Sequence, residues 1–239
     1  MRLALLLVCL AAAWPSYASA DPVRDSFAES VVRIRAVAVD GSLRLGSGIV
    51  LAADEVATAC HVTRNAASIQ IVRGANRWTA RSQTGSVVRD VCVLSVAPAQ
   101  IDAPAVRLRD SRELQAGDRV FAASFAGGRR TPLVTPGIVQ ALYGYDGGNV
   151  ILTTAMFDFG SSGGALLDDD GRVVGLLAFK SGVDDRRFAV PSEWIHSATR
   201  EAHVAFPLEP SSPIAFWERS LFGRPAFLDI RSQATSRVP

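Results

Sequence analysis

Asp158-Phe159-Gly160-Ser161-Ser162-Gly163-Gly164 runs directly into Ala165-Leu166-Leu167-Asp168-Asp169-Asp170-Gly171-Arg172. A serine framed by glycines keeps its hydroxyl unobstructed, and the same backbone can aim successive N–H groups at one point. An ordinary turn uses these residues too. The residues after the serine decide the fold. A nucleophile elbow of the Gly-x-Ser-x-Gly kind needs a helix immediately after it. Here a short apolar run, an acidic turn and a second apolar run come next, which reads as strand, turn, strand. The acidic turn lacks the alternate ligand spacing of a calcium loop, so no metal is expected there.

Working outward, the same short-strand pattern recurs. Ser30 to Val39 and Leu43 to Leu51 flank an Asp40-Gly41 turn and predict a hairpin. Gly46-Ser47-Gly48 inside it resembles a phosphate-loop fragment, but no helix pattern follows, and close backbone packing in a strand is the better reading. Val56 to Val62 predicts a strand ending at His61. Others are expected at Ser68 to Val72, Arg77 to Arg81, Val91 to Val96, Arg119 to Ser124, Gly137 to Ala141, Val150 to Thr154, Arg172 to Phe179 and Arg187 to Val190. Short strands punctuated by Gly, Pro and Asp indicate an all-β barrel or sandwich.

Ser192 then reads as the N-cap of a helix of about ten residues, with Trp194, Ile195, Ala198 and Ala202 on one face. Pro207, Pro210 and Pro213 mark a linker. A second short helix would carry Ile214, Trp217 and Leu221 and stop at Gly223. Phe227, Leu228 and Ile230 in the tail are expected to dock on the barrel, or to offer a surface to a protein partner.

Residues 1–20 read as a signal peptide: Arg2, an apolar run from Leu3 to Ala13 broken by Trp14-Pro15, and Ala18-Ser19-Ala20 at the cleavage site. Cleavage is expected before Asp21, which places the mature chain in the periplasm or outside the cell and removes Cys9. No second long apolar run suggests a membrane span. The net charge of +2 carries no basic stripe for nucleic acid. Cys60 and Cys92 remain; in an oxidising compartment one disulfide is the simple expectation, with two buried thiols as the alternative.

A serine nucleophile needs a base, and the base needs a carboxylate to fix its tautomer. The chain has three histidines. His196 and His203 lie on or just after the terminal helix and read as packed or solvated. His61 closes the apolar strand Ala57-Thr58-Ala59-Cys60-His61-Val62, and Asp90 opens another in Arg89-Asp90-Val91-Cys92-Val93-Leu94. A Cys60–Cys92 bridge would hold the two Cα atoms within about 7 Å. His61 and Asp90 would then share one neighbourhood.

With these pieces in order, the chain resembles the trypsin-like (chymotrypsin-fold) serine peptidases, especially the bacterial HtrA/Deg-type and glutamyl-endopeptidase-type branch. Gly46-Ser47-Gly48-Ile49-Val50 precedes the His61 and Asp90 segments. Ala116-Gly117-Asp118-Arg119-Val120, Thr135-Pro136-Gly137-Ile138-Val139, Gly160 to Leu167 and Phe188-Ala189-Val190-Pro191 come after them. The resemblance spans about Val31 to Ala202. It implies Ser162 as nucleophile, His61 as general base, Asp90 as orienting carboxylate, and the N–H groups of Gly160 and Ser162 as an oxyanion hole. It also implies an all-β fold of two six-stranded antiparallel β-barrels, residues 26–110 and 111–206, within a peptidase domain at 21–206. A short C-terminal helix and a tail at 207–239 complete it. Protein or peptide substrates are expected, and no cofactor.

Two departures stand out. Ser161 replaces the family's usual Asp or Asn before the nucleophile, which disfavours activation by a buried ion pair with a new N-terminus. Met156, six residues before Ser162, disfavours an Arg or Lys preference. Phe179, Lys180, Arg186 and Arg187 fall where the family borders its substrate cleft. Either an acidic P1 residue or ordinary solvated loop charges would fit the three cations. With about 33 residues after Phe206, no PDZ domain is expected. An α/β-hydrolase esterase would pair Ser162 with Asp184 or Asp185 and His196 or His203, and lacks its helix. A catalytically silent binding protein on the trypsin fold is the other alternative.

Overall fold

The computed structural model describes residues 26–96, 101–181, 184–200, 214–219 and 223–229. The expected signal peptide, the linker prolines, His203, Leu221 and Ile230 lie outside them.

The N-terminal half holds β1 (Val31–Ala38), β2 (Leu43–Ala52), β3 (Glu55–Thr58), the helical turn α1 (Cys60–Thr63), β4 (Ala66–Arg73), β5 (Asn76–Thr79), β6 (Ser82–Ser86) and β7 (Val91–Ser95). The C-terminal half holds β8 (Arg119–Ser124), β9 (Leu133–Tyr145), β10 (Gly148–Thr153), β11 (Ala165–Leu167), β12 (Val173–Lys180), β13 (Arg187–Pro191) and α2 (Ser192–Ala198). β1 shows why the pattern works: Val32, Ile34, Ala36 and Ala38 point inward and are buried, whereas Arg33, Arg35 and Val37 alternate outward.

The second half closes as expected, into a six-stranded antiparallel barrel in the order β10-β13-β12-β11-β8-β9. The first half forms a half-barrel, a seven-stranded sheet ordered β5-β4-β1-β2-β3-β7-β6. Its two end strands are consecutive, joined through Ala80 and Arg81, whose N–H groups bond Ile69 O of β4 and Ser95 O of β7. The extra strand, Ser-Gln-Thr-Gly-Ser, has no apolar alternation; pairing with β7 holds it in register, Gln83 opposite Leu94 and Gly85 opposite Cys92.

Three apolar cores result. One fills the N-terminal sheet around Ile34, Ile69, Ile71 and Leu94, and one fills the barrel around Ile151, Leu166 and Leu177. The largest lies between the halves, where Ile49 and Val93 of the sheet meet Phe121, Leu176 and Phe188 of the barrel. Burying each such side chain contributes about 1.5–3 kcal/mol. This shared core fixes how the two halves face each other.

Helix α2 is shorter than expected, and Ser192 is its first residue rather than its cap. Pro191 occupies the N-cap position, and the Ser192 hydroxyl donates to Arg109 O. Residues 216–218 form a turn where a second helix was expected. The described tail docks on the body. Phe216 is buried and donates its N–H to Val88 O, and Phe227 stacks on Tyr143 with centroids 4.6 Å apart.

Candidate active site

His61 does not end a strand. β3 stops at Thr58, whose register partner is Cys92 of β7, and the chain then turns once through α1, closed by Arg64 N–H on Cys60 O. Pairing of β3 with β7 carries Cys60-His61 alongside Asp90, and Cys60 and Cys92 are bonded with Cα atoms 5.0 Å apart. Asp90 sits just before β7 in the left-handed region, φ 61°. Aspartate tolerates that conformation better than most side chains, and here it turns the carboxylate back onto α1.

Asp90 is fully buried and grips His61 at two points. Its Oδ1 accepts the His61 backbone N–H at 2.9 Å, and Oδ2 lies 2.7 Å from His61 Nδ1. With Nδ1 protonated toward the carboxylate, Nε2 is left as the free basic nitrogen. Burial lowers the imidazole pKa most strongly. The charge and hydrogen bond of Asp90, helped by Glu218, outweigh it, so the pKa is raised overall.

Ser162 arrives from the barrel. Its loop is knotted by its own backbone: Ser161 N–H to Asp158 O at 2.9 Å, Gly164 N–H to Ser161 O at 2.8 Å, and Gly163 N–H to Leu177 O at 2.7 Å. Gly163 has φ 85°, and an added Cβ would lie 2.2 Å from Ser47 O. No other residue fits there without moving the backbone. Ser162 Oγ donates to Ala178 O at 3.3 Å. Among the described residues, the N–H groups of Gly160 and Ser162 make no hydrogen bond.

His61, Ser162 and Gly160 line one cavity of about 520 Å³, together with Val62, Phe157, Phe179, Lys180 and Trp217. Phe159 stands at its rim, 88% exposed. Of the residues expected to touch substrate, Phe179 and Lys180 are in the wall. Met156 and Arg186 are not: Met156 is 56% exposed outside it, and Arg186 pairs with Asp184 and lies over Phe188. Arg187 is buried and donates to the carbonyls of Phe157 and Asp185. Lys180 is ion-paired with Asp185 at 3.2 Å, which spends its charge locally. His196 sits on α2 and Asp184 and Asp185 on a loop, and none of these three residues of the esterase alternative lines the cavity.

Ser161 has a structural account. Its hydroxyl is buried, 2.9 Å from Ser124 Oγ, and accepts the Asp158 N–H at 3.2 Å. The pair it makes with Ser124 is neutral. Sequence reasoning missed Ser47. It accepts the Phe125 N–H and donates to Gly160 O, both at 2.8 Å, while its own N–H donates to Ser162 O at 2.8 Å. The only signal was its flanking glycines; Gly46 lies so close that an added Cβ would meet Val62 at 2.7 Å and Ser162 O at 3.1 Å. Trp217 was also missed as a site residue.

A carboxylate-clamped imidazole and a glycine-framed serine lining one cavity, on two antiparallel β halves, define a trypsin-like hydrolase architecture. The chain belongs to the trypsin-like peptidase domain family, whose model matches residues 46–176, and it is similar to HtrA-type peptidases. The periplasmic serine endoprotease DegP of Escherichia coli is 33% identical over 175 residues, covering 66% of this chain and 36% of DegP. The chain thus spans about a third of the length of that relative. A Mycobacterium tuberculosis protease crystallised in its active form superposes with a TM-score of 0.69 at 23% identity, over 80% of this chain and 88% of the other. An HtrA-type protease, AlgW, solved with a tripeptide, gives 0.65 at 26% identity over 74% and 61%. No described helix is long and apolar enough to cross a membrane.

Proposed function

We propose that the protein is an exported serine endopeptidase that works through an acyl-enzyme. The observation that carries this reading is the two-point clamp of Asp90 on His61 at a cavity whose floor holds Ser162. Ser162 Oγ attacks the scissile carbonyl, His61 takes its proton, and the developing imidazolium is stabilised by Asp90. The oxyanion is received by the unengaged N–H groups of Gly160 and Ser162; each such donor is worth about 3 kcal/mol in the transition state. His61 then protonates the leaving amine, and water repeats the sequence to release the acyl group.

At rest Ser162 Oγ is turned toward Ala178 O at 3.3 Å, a weak contact that a χ1 rotation releases. Substrate is a polypeptide lying along a wall of Val62, Phe157, Phe179 and Trp217, with an apolar side chain in the cavity. Lys180, held by Asp185, does not favour an acidic one. Export follows from the leader-like residues 1–20 and agrees with the periplasmic relative.

Incubating residues 21–239 and Ser162→Ala with a fluorophosphonate and a peptide library tests the reading. Labelling and cleavage by the parent, both absent in the variant, are expected. A folded parent that neither labels nor cuts would leave a silent binding protein on this fold.

A further inference from the structure

We propose that Trp217, from the C-terminal segment beyond the family-matched residues 46–176, is a positioning residue for the His61–Asp90 pair and a wall of the substrate cavity. The inference rests on the peptidase reading for its catalytic meaning, though its geometry does not. Trp217 Nε1 donates to Asp90 Oδ2 at 3.0 Å, the same oxygen that His61 Nδ1 approaches at 2.7 Å. With the His61 backbone N–H on Oδ1, three donors converge on a carboxylate with no exposed surface. A buried carboxylate without enough donors is costly to maintain and free to rotate. The indole closes the last open side.

The ring works on its other sides as well. It meets the His61 imidazole edge-on, centroids 5.3 Å apart at 90°, and stacks on Phe179 at 5.1 Å and 15°. His61 is therefore bounded by Asp90 and by Trp217, and Trp217 by the cavity wall it extends.

The segment is fixed at both flanks of this contact. Phe216 is fully buried, and its N–H bonds Val88 O, two residues before Asp90. Glu218 makes a two-point ion pair with Arg64, three residues after His61, at 2.8 and 3.0 Å, and also accepts the Ala215 N–H. Arg64 O in turn accepts from Arg44 at 2.7 Å. The charged groups facing His61 are thus Asp90 before β7, Arg64 after α1, Glu218 on the segment and Arg44 on β2. None of them duplicates the indole N–H.

Sharing Oδ2 sets how much of the Asp90 charge His61 feels. Trp217→Phe keeps the ring and its stacking and removes the donor. The His61 titration, followed by NMR in a chain with few histidines, is then expected to move upward by about one unit. The acid limb of fluorophosphonate labelling should move with it, slowing labelling about tenfold below that limb. Glu218→Gln keeps the donor and removes a negative charge, so the titration is expected to move downward.

With the Phe216 amide still protected from exchange, an unmoved titration in Trp217→Phe, or movement in the same direction in both variants, overturns the proposal and leaves Trp217 as packing alone. If Trp217→Phe releases the segment, seen as lost exchange protection of the Phe216 amide, Glu218 leaves with it, and Trp217→Phe is then read in the Glu218→Gln background: a higher titration than Glu218→Gln alone is expected, and an equal one overturns the proposal. Failure of the parent to label at Ser162 would instead overturn the peptidase reading, and the NMR titration would still decide the role of Trp217.

Discussion

His61 and Asp90 belong to the N-terminal sheet and are held mainly by side chains, whereas Ser162 belongs to the C-terminal barrel and is held mainly by main chain. On the first side the fastenings are a disulfide, a carboxylate gripping two groups of one histidine, and an indole from a distant segment. On the second they are successive N–H to C=O bonds at 158–164 and a glycine that admits no side chain. The difference is mechanical. His61 and Asp90 stand just outside β3 and β7, where the pairing of the two strands ends at Thr58 and Cys92, so covalent and polar ties must take over from the ladder, while Ser162 stands in a turn whose N–H and C=O groups pair with one another and with β12. The base side should therefore yield to substitution in steps, and the nucleophile side all at once.

The largest effect tests the nucleophile side. Ser162→Ala should abolish labelling and reduce peptide cleavage by about six orders of magnitude, with the thermal midpoint almost unchanged, since the hydroxyl contributes one long contact to Ala178. A variant that still cleaves appreciably would remove Ser162 from the chemistry.

Reducing the disulfide tests the base side. Cys60 and Cys92 are 32 residues apart, and a loop of that size implies about 3–4 kcal/mol lost on opening. Cys60→Ser with Cys92→Ser, measured by urea denaturation, should show that loss. Activity should fall with it, because α1 and the Asp90 turn lose their shortest link. An unreduced peptide map with both thiols free would contradict the bond itself.

Ser47→Ala probes the join between the two sides. Its hydroxyl ties Gly160 O on the barrel to Phe125 N through a residue of β2. Removing it leaves a buried amide and a carbonyl without partner, a loss of about 2 kcal/mol in stability. Because the carbonyl belongs to Gly160, labelling should slow by roughly tenfold. Equal stability loss with unchanged labelling would show that the Gly160 peptide holds its place unaided.

These positions were unequally legible. Ser162, His61 and Asp90 stand in short local patterns that the sequence displays: glycines around a serine, an apolar run before a histidine, an acid opening a strand. The six-stranded barrel could be read for the same reason, because its strands alternate or are continuously apolar. The strand Ser82–Ser86 was invisible, since its place comes from pairing with β7 rather than from its own side chains. His61 was expected on a strand because Cys60-His61-Val62 is as apolar as the residues before it; the turn arises where pairing with β7 ends at Thr58. Ser47 and Trp217 act across 113 and 127 residues, and no local spacing encodes a contact of that span.

The smallest effect concerns protons. Asp90 and Glu218 raise the His61 pKa against the opposing pull of burial, so the acid limb of kcat/KM should lie above the free-imidazole value of about 6.5. Rate rises with pH through that limb, because the base must be neutral to accept the serine proton. Stability runs the other way. A pKa raised on folding means that the folded state binds the proton more tightly, so this contribution is fully present below about pH 6.5 and is lost as pH climbs through the folded-state value. Protonated His61 thus sits best in its clamp where it is useless as a base, and activity should increase across the same pH window in which denaturation midpoints decline. A His61→Gln variant should flatten the proton-linked decline in stability as well as the activity. If the decline survives that substitution, another group carries it, and the raised His61 pKa is not what couples the clamp to pH.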